Sequence, residues 1–266
     1  MSSFGRAASE IRTIDAMASA DRRMNRIHPL VKLIVTIFYI AVTVSFGKYN
    51  LTGLLGMAIY LIYLYGTGDL RLSEALYRLR VILPIVCVVG LFNPFFDREI
   101  ITTIGGIGIS GGVISMLTLM LKGIFSVLAT YAMIATTGIE KLCYALRLVH
   151  VPKILVTQIL LIYRYISVLL AEANRMVQAY SLRAPGQKGI HFQVWGSLAG
   201  QLLLRSMDRA QAVYESMCLR GYTGEFYYAG RIRAKGSDYA YLIGWIIGIA
   251  LLRAVPVFEI VGGFFV

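Results

Sequence analysis

The residues best suited to chemistry in this 266-residue chain are three cysteines, three histidines, 14 carboxylates and a lysine inside an apolar run. Their spacing argues against most chemistry. Cys87, Cys143 and Cys218 are odd in number, far apart and lack any Cys-x-x-Cys pair, which fits neither a disulfide framework nor a zinc site. They read as reduced, packed or idle thiols. His28, His150 and His191 have no ligand-type partner three or four residues on, so no metal site built by this chain is expected, and no cofactor. The run Gly106-Ile107-Gly108-Ile109-Ser110-Gly111 matches the G-x-G-x-x-G dinucleotide fingerprint, which needs a preceding strand, a βαβ unit and an acid about 20 residues further on. Residues 126–135 contain no Asp or Glu, and the match falls between two apolar segments, so a glycine-rich hairpin or turn is expected there.

Charges inside or beside apolar segments carry the remaining possibilities. Lys122 interrupts the run 113–137, where a charge costs about 2.5–3.5 kcal/mol on insertion scales. It is a candidate intramembrane polar site, with a snorkelling lysine or one in a polar seam as the bland alternative. Glu172 and Arg175 are three apart and can pair locally on a helix. Arg183 and Arg220 sit at the ends of two helical patterns, where any cation is favoured by about 0.3–1 kcal/mol through the helix dipole. Their contexts match, however: Ser181-Leu182-Arg183-Ala184 and Cys218-Leu219-Arg220-Gly221 both read small, Leu, Arg, small. Two similar tips suit a partner with two similar sockets, and guanidinium is well made for carboxylates or carbonyls inside a groove.

The composition says where these tips are carried. Hydrophobic residues make up 58% of the chain, charged residues only 15%, and mean hydropathy is +0.69. Soluble domains are roughly 45–50% apolar and about 25% charged. The chain belongs in a membrane. Its net charge of +12 reads as the basic bias of cytoplasmic loops rather than nucleic-acid binding, since no basic run is interleaved with aromatics. Residues 1–28 carry acids and arginines ahead of the first apolar run, which is not the order of a cleaved signal peptide.

Five apolar stretches approach the roughly 20 residues that span a bilayer: 29–46, 50–66, 81–96, 113–137 and 239–258. The third is short and contains Pro84 and Pro94, so a kinked or partial span is expected. A sixth, 154–170, is ambiguous. With five spans and an interior amino terminus, the interior receives six Lys/Arg before the first helix core, three in 67–80 and 13 in 138–237, and the exterior only Lys48 and Arg98. If 154–170 also crossed, the nine Lys/Arg of 171–237 would face outward against the positive-inside rule. It is therefore expected to lie along or beneath the membrane, with Arg164 facing water or headgroups. Residues 153–183 then form one helix of 31 residues, ended by Pro185 and Gly186, and a second runs from about Phe192 to Arg220, closed by Gly221.

These residues resemble a known family, the transmembrane T component of energy-coupling factor ABC transporters, closest to its cobalt-type, CbiQ-like branch. The most specific stretch is Arg205-Ser206, Asp208-Arg209-Ala210, Val213-Tyr214, Met217 and Leu219-Arg220-Gly221-Tyr222, followed by Gly224. Supporting it are His28-Pro29-Leu30-Val31-Lys32-Leu33, Pro94-Phe95, and Tyr163-Arg164-Tyr165 through Glu172 and Arg175-Met176 to Leu182-Arg183. The resemblance implies a non-enzymatic scaffold that couples two cytosolic ABC ATPase subunits to a separate membrane substrate-binding subunit. It implies too that Arg183 and Arg220 dock into ATPase grooves, flanked by Leu182, Ala184, Leu219 and Gly221. Leu182 and Leu219 stand where the family usually has small residues, and Ala184-Pro185 replaces the usual glycine.

The expected fold is an all-α membrane protein of about five transmembrane helices with an arm of two long amphipathic coupling helices. Residues 1–137 hold the first four spans, 138–237 the cytoplasmic arm and 238–266 the last span, in a prokaryotic inner or plasma membrane. The cargo is expected to be cobalt or a related metal, or vitamins if the component serves several binding subunits. Two other classes compete. A self-contained secondary transporter needs converging polar groups at mid-membrane, and a membrane enzyme needs clustered acids near the interface. Apart from Lys122, neither is present.

Overall fold

The computed structural model describes residues 13, 15–20, 22–70, 72–77, 84, 88, 90, 100–104, 107–183, 186, 189–224 and 233–254. It is an all-α membrane protein with one small β-hairpin. The chain divides into two compact units, one formed by residues 20–137 with 232–266 and the other by 1–19 with 138–231.

In the first unit, α1 (Pro29–Ser45) starts where it does because His28 caps it: the Leu30 N–H donates to His28 Nδ1 at 3.3 Å and proline occupies the first helical position. Asn50 opens α2 (Leu51–Gly56) by accepting from the Gly53 N–H at 3.1 Å. Helix α3 (Ala58–Gly68) follows after a break at Met57, whose carbonyl accepts from Tyr39 Oη at 3.1 Å. In lipid a freed carbonyl needs such a donor.

Residues 107–110 of the G-x-G-x-x-G match form one strand of a hairpin, as its glycines suggest: β1 (Ile100–Ile104) pairs antiparallel with β2 (Ile107–Ser110), while Gly106 lies outside the described residues. Gly111 opens α4 (Gly111–Thr137), 27 residues long. Its buried face, Thr118, Phe125, Ala129, Ala132 and Thr136, steps by three, four and seven and is made mostly of small side chains, which let helices approach closely. Thr118 and Thr136 donate back to the carbonyls of Ile114 and Ala132, at 2.8 Å each, so no hydroxyl need enter lipid unpaired.

The last helix of this unit, α8 (Gly236–Ala254), packs on α1 and inserts Trp245 against Tyr60, edge to face at 4.7 Å between ring centroids, and against Tyr63 at 4.8 Å. Tyr39 continues the cluster 4.6 Å from Tyr60. Most of the proposed third span, 81–96, and the end of the fifth, 255–258, lie outside the described residues.

The second unit holds α5 (Ile139–Leu148), α6 (Lys153–Arg183) and α7 (Phe192–Leu219). Helix α6 has the boundaries expected from its pattern. It also has the length and composition to cross a membrane, as do Leu51–Gly68, α4 and α8 among the described residues, and its best 18-residue window has a mean hydropathy of 2.0. Helix α1, at 17 residues, is one residue short of that set.

Candidate functional site

The end of α7 is a complete Schellman motif. Gly221 N–H donates to Cys218 O and Tyr222 N–H to Met217 O, both at 3.0 Å, while Gly221 takes φ +81° and Arg220 is the cap residue. The turn fixes the direction in which Arg220 leaves the helix. Leu219, beside it, is 90% exposed. At the end of α6, Arg183 is the last helical residue, exposed, with Leu182 82% exposed; Ala184 lies outside the described residues. Leucines that protrude this far from helix ends have no packing role in the isolated chain.

Glu172 on α6 joins the two helices. It accepts from Arg205 on α7 and lies 3.6 Å from Arg175, one turn away. The local Glu172–Arg175 pair was expected from spacing, whereas the bond to Arg205, 33 residues distant in sequence, carries no periodic signal. Around the pair, a cavity of about 830 Å³ runs between the helices, lined by Arg164, Glu172, Arg205, Asp208, Arg209 and Arg220. An apolar cavity of about 520 Å³ shares Leu161, Val213, Met217 and Tyr222 with it and adds Ile154 and Ile166.

These linings show that α7 from Arg205 to Tyr222 runs beside α6 from Glu172 back to Leu161. Arg183 therefore lies on the opposite side of the Glu172–Arg205 pair from Arg220. It stands 11 residues beyond the pair, about 16 Å along the helix, and Arg220 stands 15 residues beyond it, about 22 Å. The result is a pinned pair of helices with an arginine at each far end.

Lys122 is separate from this arrangement. In the first unit it donates to the carbonyls of Val44 at 3.0 Å and Phe46 at 2.5 Å, the last turn of α1. Helix α4 is 10 residues longer than α1. A residue near the middle of α4 therefore stands level with the end of its neighbour.

The histidines also have local structural places. His28 caps α1, His191 occupies the position before α7, and His150 takes φ +65° where α5 ends. Cys143 is buried, Cys218 is exposed, and Cys87 lies outside the described residues.

The described helices define a multi-pass, all-α membrane protein that carries a pinned pair of arginine-ended helices. The sequence profile of the CbiQ cobalt transport protein family matches residues 20–228, and the chain belongs to that family as a T component of energy-coupling factor transporters. It is 28% identical over 240 residues to an uncharacterized protein of Methanocaldococcus jannaschii, covering 86% of this chain and 81% of the relative. It is also 42% identical over 76 residues to the energy-coupling factor transporter transmembrane protein BioN of Rhizobium etli, covering 28% of this chain and 36% of that protein.

Proposed function

We propose that this chain is the scaffold subunit of an energy-coupling factor importer, transmitting ATP-driven motion of two cytosolic ABC ATPases to a separate membrane subunit that binds a micronutrient. Cobalt or a related metal ion is the cargo favoured by the family description. The observation that carries the reading is the pair of exposed arginine ends, Arg183 and Arg220, held on opposite sides of the Glu172–Arg205 pin.

Closure of an ATPase dimer draws two sockets together. Helices pinned at one point turn such a movement of their ends into a change of crossing angle. Nucleotide must then bind one helix arrangement better than the other, or it shifts nothing. Exposed apolar residues on the pair, including Ile154, Ile162, Trp195, Leu203 and Met207, supply a surface for the substrate-binding subunit and the membrane boundary.

Residues 138–237 are placed on the cytoplasmic side together with the amino terminus, in a prokaryotic plasma membrane. The support is charge: 13 Lys/Arg fall in that segment, nine of them after residue 170. Helix α6 is apolar enough to cross, yet Arg164 lies near the centre of its apolar stretch and its crossing would carry those nine charges outward. Lying at the interface, α6 keeps both Arg164 and the positive-inside rule satisfied.

Arg220→Glu and Arg183→Glu are each expected to release the ATPases from detergent-purified complex or to abolish ATP-dependent uptake. Normal assembly and uptake in both variants would overturn the docking roles. Uptake by this chain alone in liposomes would overturn the scaffold reading in favour of a self-contained transporter.

A further inference from the structure

The end of α1 gathers two cations. Lys122 from α4 donates to the carbonyls of Val44 and Phe46, and Arg253 from α8 donates through Nη2 to the carbonyl between them, Ser45 O, at 3.2 Å. The Arg253 guanidinium also lies 4.3 Å from the centroid of the Phe46 ring. An ammonium and a guanidinium from different helices are thus fixed on three consecutive carbonyls.

A helix carboxyl end offers only about half a negative charge, against two full positive ones. Among the described residues, no Asp or Glu lies within ion-pairing distance of either cation. Among the described residues their hydrogen bonding is also unfinished: an ammonium has three donors and uses two there, and a guanidinium has five and uses one. Arg253 is exposed and Lys122 half-buried, so the remaining donors are within reach of a ligand.

Depth narrows the ligand. Helix α1 has 17 residues, about 25 Å, close to the roughly 30 Å of a hydrocarbon core. Its last carbonyls therefore stand near headgroup level, and α8 ends one residue past Arg253. On the core side of the two cations, Val44, Ile247 and Leu251 are exposed apolar residues. An acyl chain can lie along them, an advantage that a free ion lacks.

We propose that Lys122 and Arg253 form a binding site for an anionic phospholipid, whose headgroup phosphate bridges the ammonium and the guanidinium at the end of α1. The guanidinium fork matches a phosphate's paired oxygens. Among the described residues no acid offsets this positive charge, which selects a lipid with net negative charge over a zwitterionic one. The site is independent of the ATPase-docking reading, because it uses residues of the other unit.

The test uses the full-length chain in mild detergent, depleted of lipid and titrated with phosphatidylglycerol, phosphatidylcholine or inorganic phosphate. Retention is followed by native mass spectrometry and the unfolding midpoint by thermal scan. Because Lys122 also closes α1, the exposed Arg253 carries the main comparison. Phosphatidylglycerol is expected to bind and raise the midpoint, with affinity falling about fivefold in Arg253→Gln and by a similar further factor in Arg253→Gln/Lys122→Gln. Arg253→Lys should recover part of the loss. Equal phosphatidylglycerol affinity in wild type and Arg253→Gln would overturn the site. Equal binding of phosphatidylcholine would overturn the charge selection, and an equal response to inorganic phosphate would overturn the lipid as its source.

Discussion

Lys32 and Lys122, on neighbouring antiparallel helices, each close the carboxyl end of the helix that carries the other. Lys32, buried in the first turn of α1, donates to Thr136 O at the end of α4 at 3.0 Å, while Lys122 on α4 donates to the end of α1. The last carbonyls of a helix have no intrahelical donor. A cation there also opposes the helix dipole. Arg22 repeats the device at the end of α3, donating to Gly68 O at 2.7 Å and Asp69 O at 2.8 Å. Sliding α1 against α4 by one turn, about 5.4 Å, would break both lysine caps, so together they fix the register.

Lys32→Met and Lys122→Met should each lower stability by roughly 1.5–3 kcal/mol, the usual worth of a hydrogen bond from a charged donor. The caps stand at opposite ends of α1, so the double variant should lose about the sum. Unfolding in mixed micelles of rising sodium dodecyl sulfate content measures this. A Lys122→Met protein as stable as its parent would remove the cap as the reason for that charge.

At Gly221 the backbone takes φ +81°, and an added Cβ would meet no atom within 4 Å. Gly221→Ala is therefore strained by conformation alone, at a cost of about 1 kcal/mol, confined to the last turn of α7. Weaker ATPase co-purification with unchanged helix content is the expected result. His150 offers the opposite case: it holds φ +65° in the same kind of helix ending, with His150 N–H on Arg147 O at 3.1 Å and Val151 N–H on Leu146 O at 3.2 Å. His150→Gly should stabilise the protein by about 0.5–1 kcal/mol, read as a higher unfolding midpoint.

The pin between α6 and α7 can be tested by exchange. The Glu172 side chain is 21% exposed and that of Arg205 55%, so the pair is only partly screened by solvent. Glu172→Arg and Arg205→Glu should each depress ATP-driven uptake while leaving both arginine ends intact. Their combination should recover much of it, with a coupling of roughly 1 kcal/mol in a stability cycle. Uptake that is indifferent to all three variants would remove the pin from the mechanism.

How legible each feature was in the sequence follows the range of the interaction behind it. The boundaries of α6 and the closure of α7 by Gly221 depend on neighbours within a few residues, and periodicity with Pro and Gly exposes them directly. The glycines of 106–111 likewise suggested the hairpin in which β1 and β2 pair. The partners of Lys122 and Glu172 lie 76 and 33 residues away, and no local pattern encodes such distances. Lys122 looked central because depth was counted along its own helix. Its neighbour's length set its real surroundings.

Cys218 stands two residues before Arg220 and is exposed, which makes it a native reporter of where the α7 end lies. Cys143 is buried, and burial, followed by the nearby Glu140, raises its thiol pKa. A raised pKa leaves little thiolate at neutral pH, so Cys143 should react slowly with maleimides there and accelerate only as the pH climbs. In a Cys87→Ser background, a membrane-impermeant maleimide should label Cys218 in inverted vesicles and spare it in intact cells. That result supports an arm on the ATPase side, as docking of Arg220 requires. Labelling in intact cells alone would instead put the α7 end outside, make α6 a spanning helix, and leave Arg220 out of reach of any cytosolic motor.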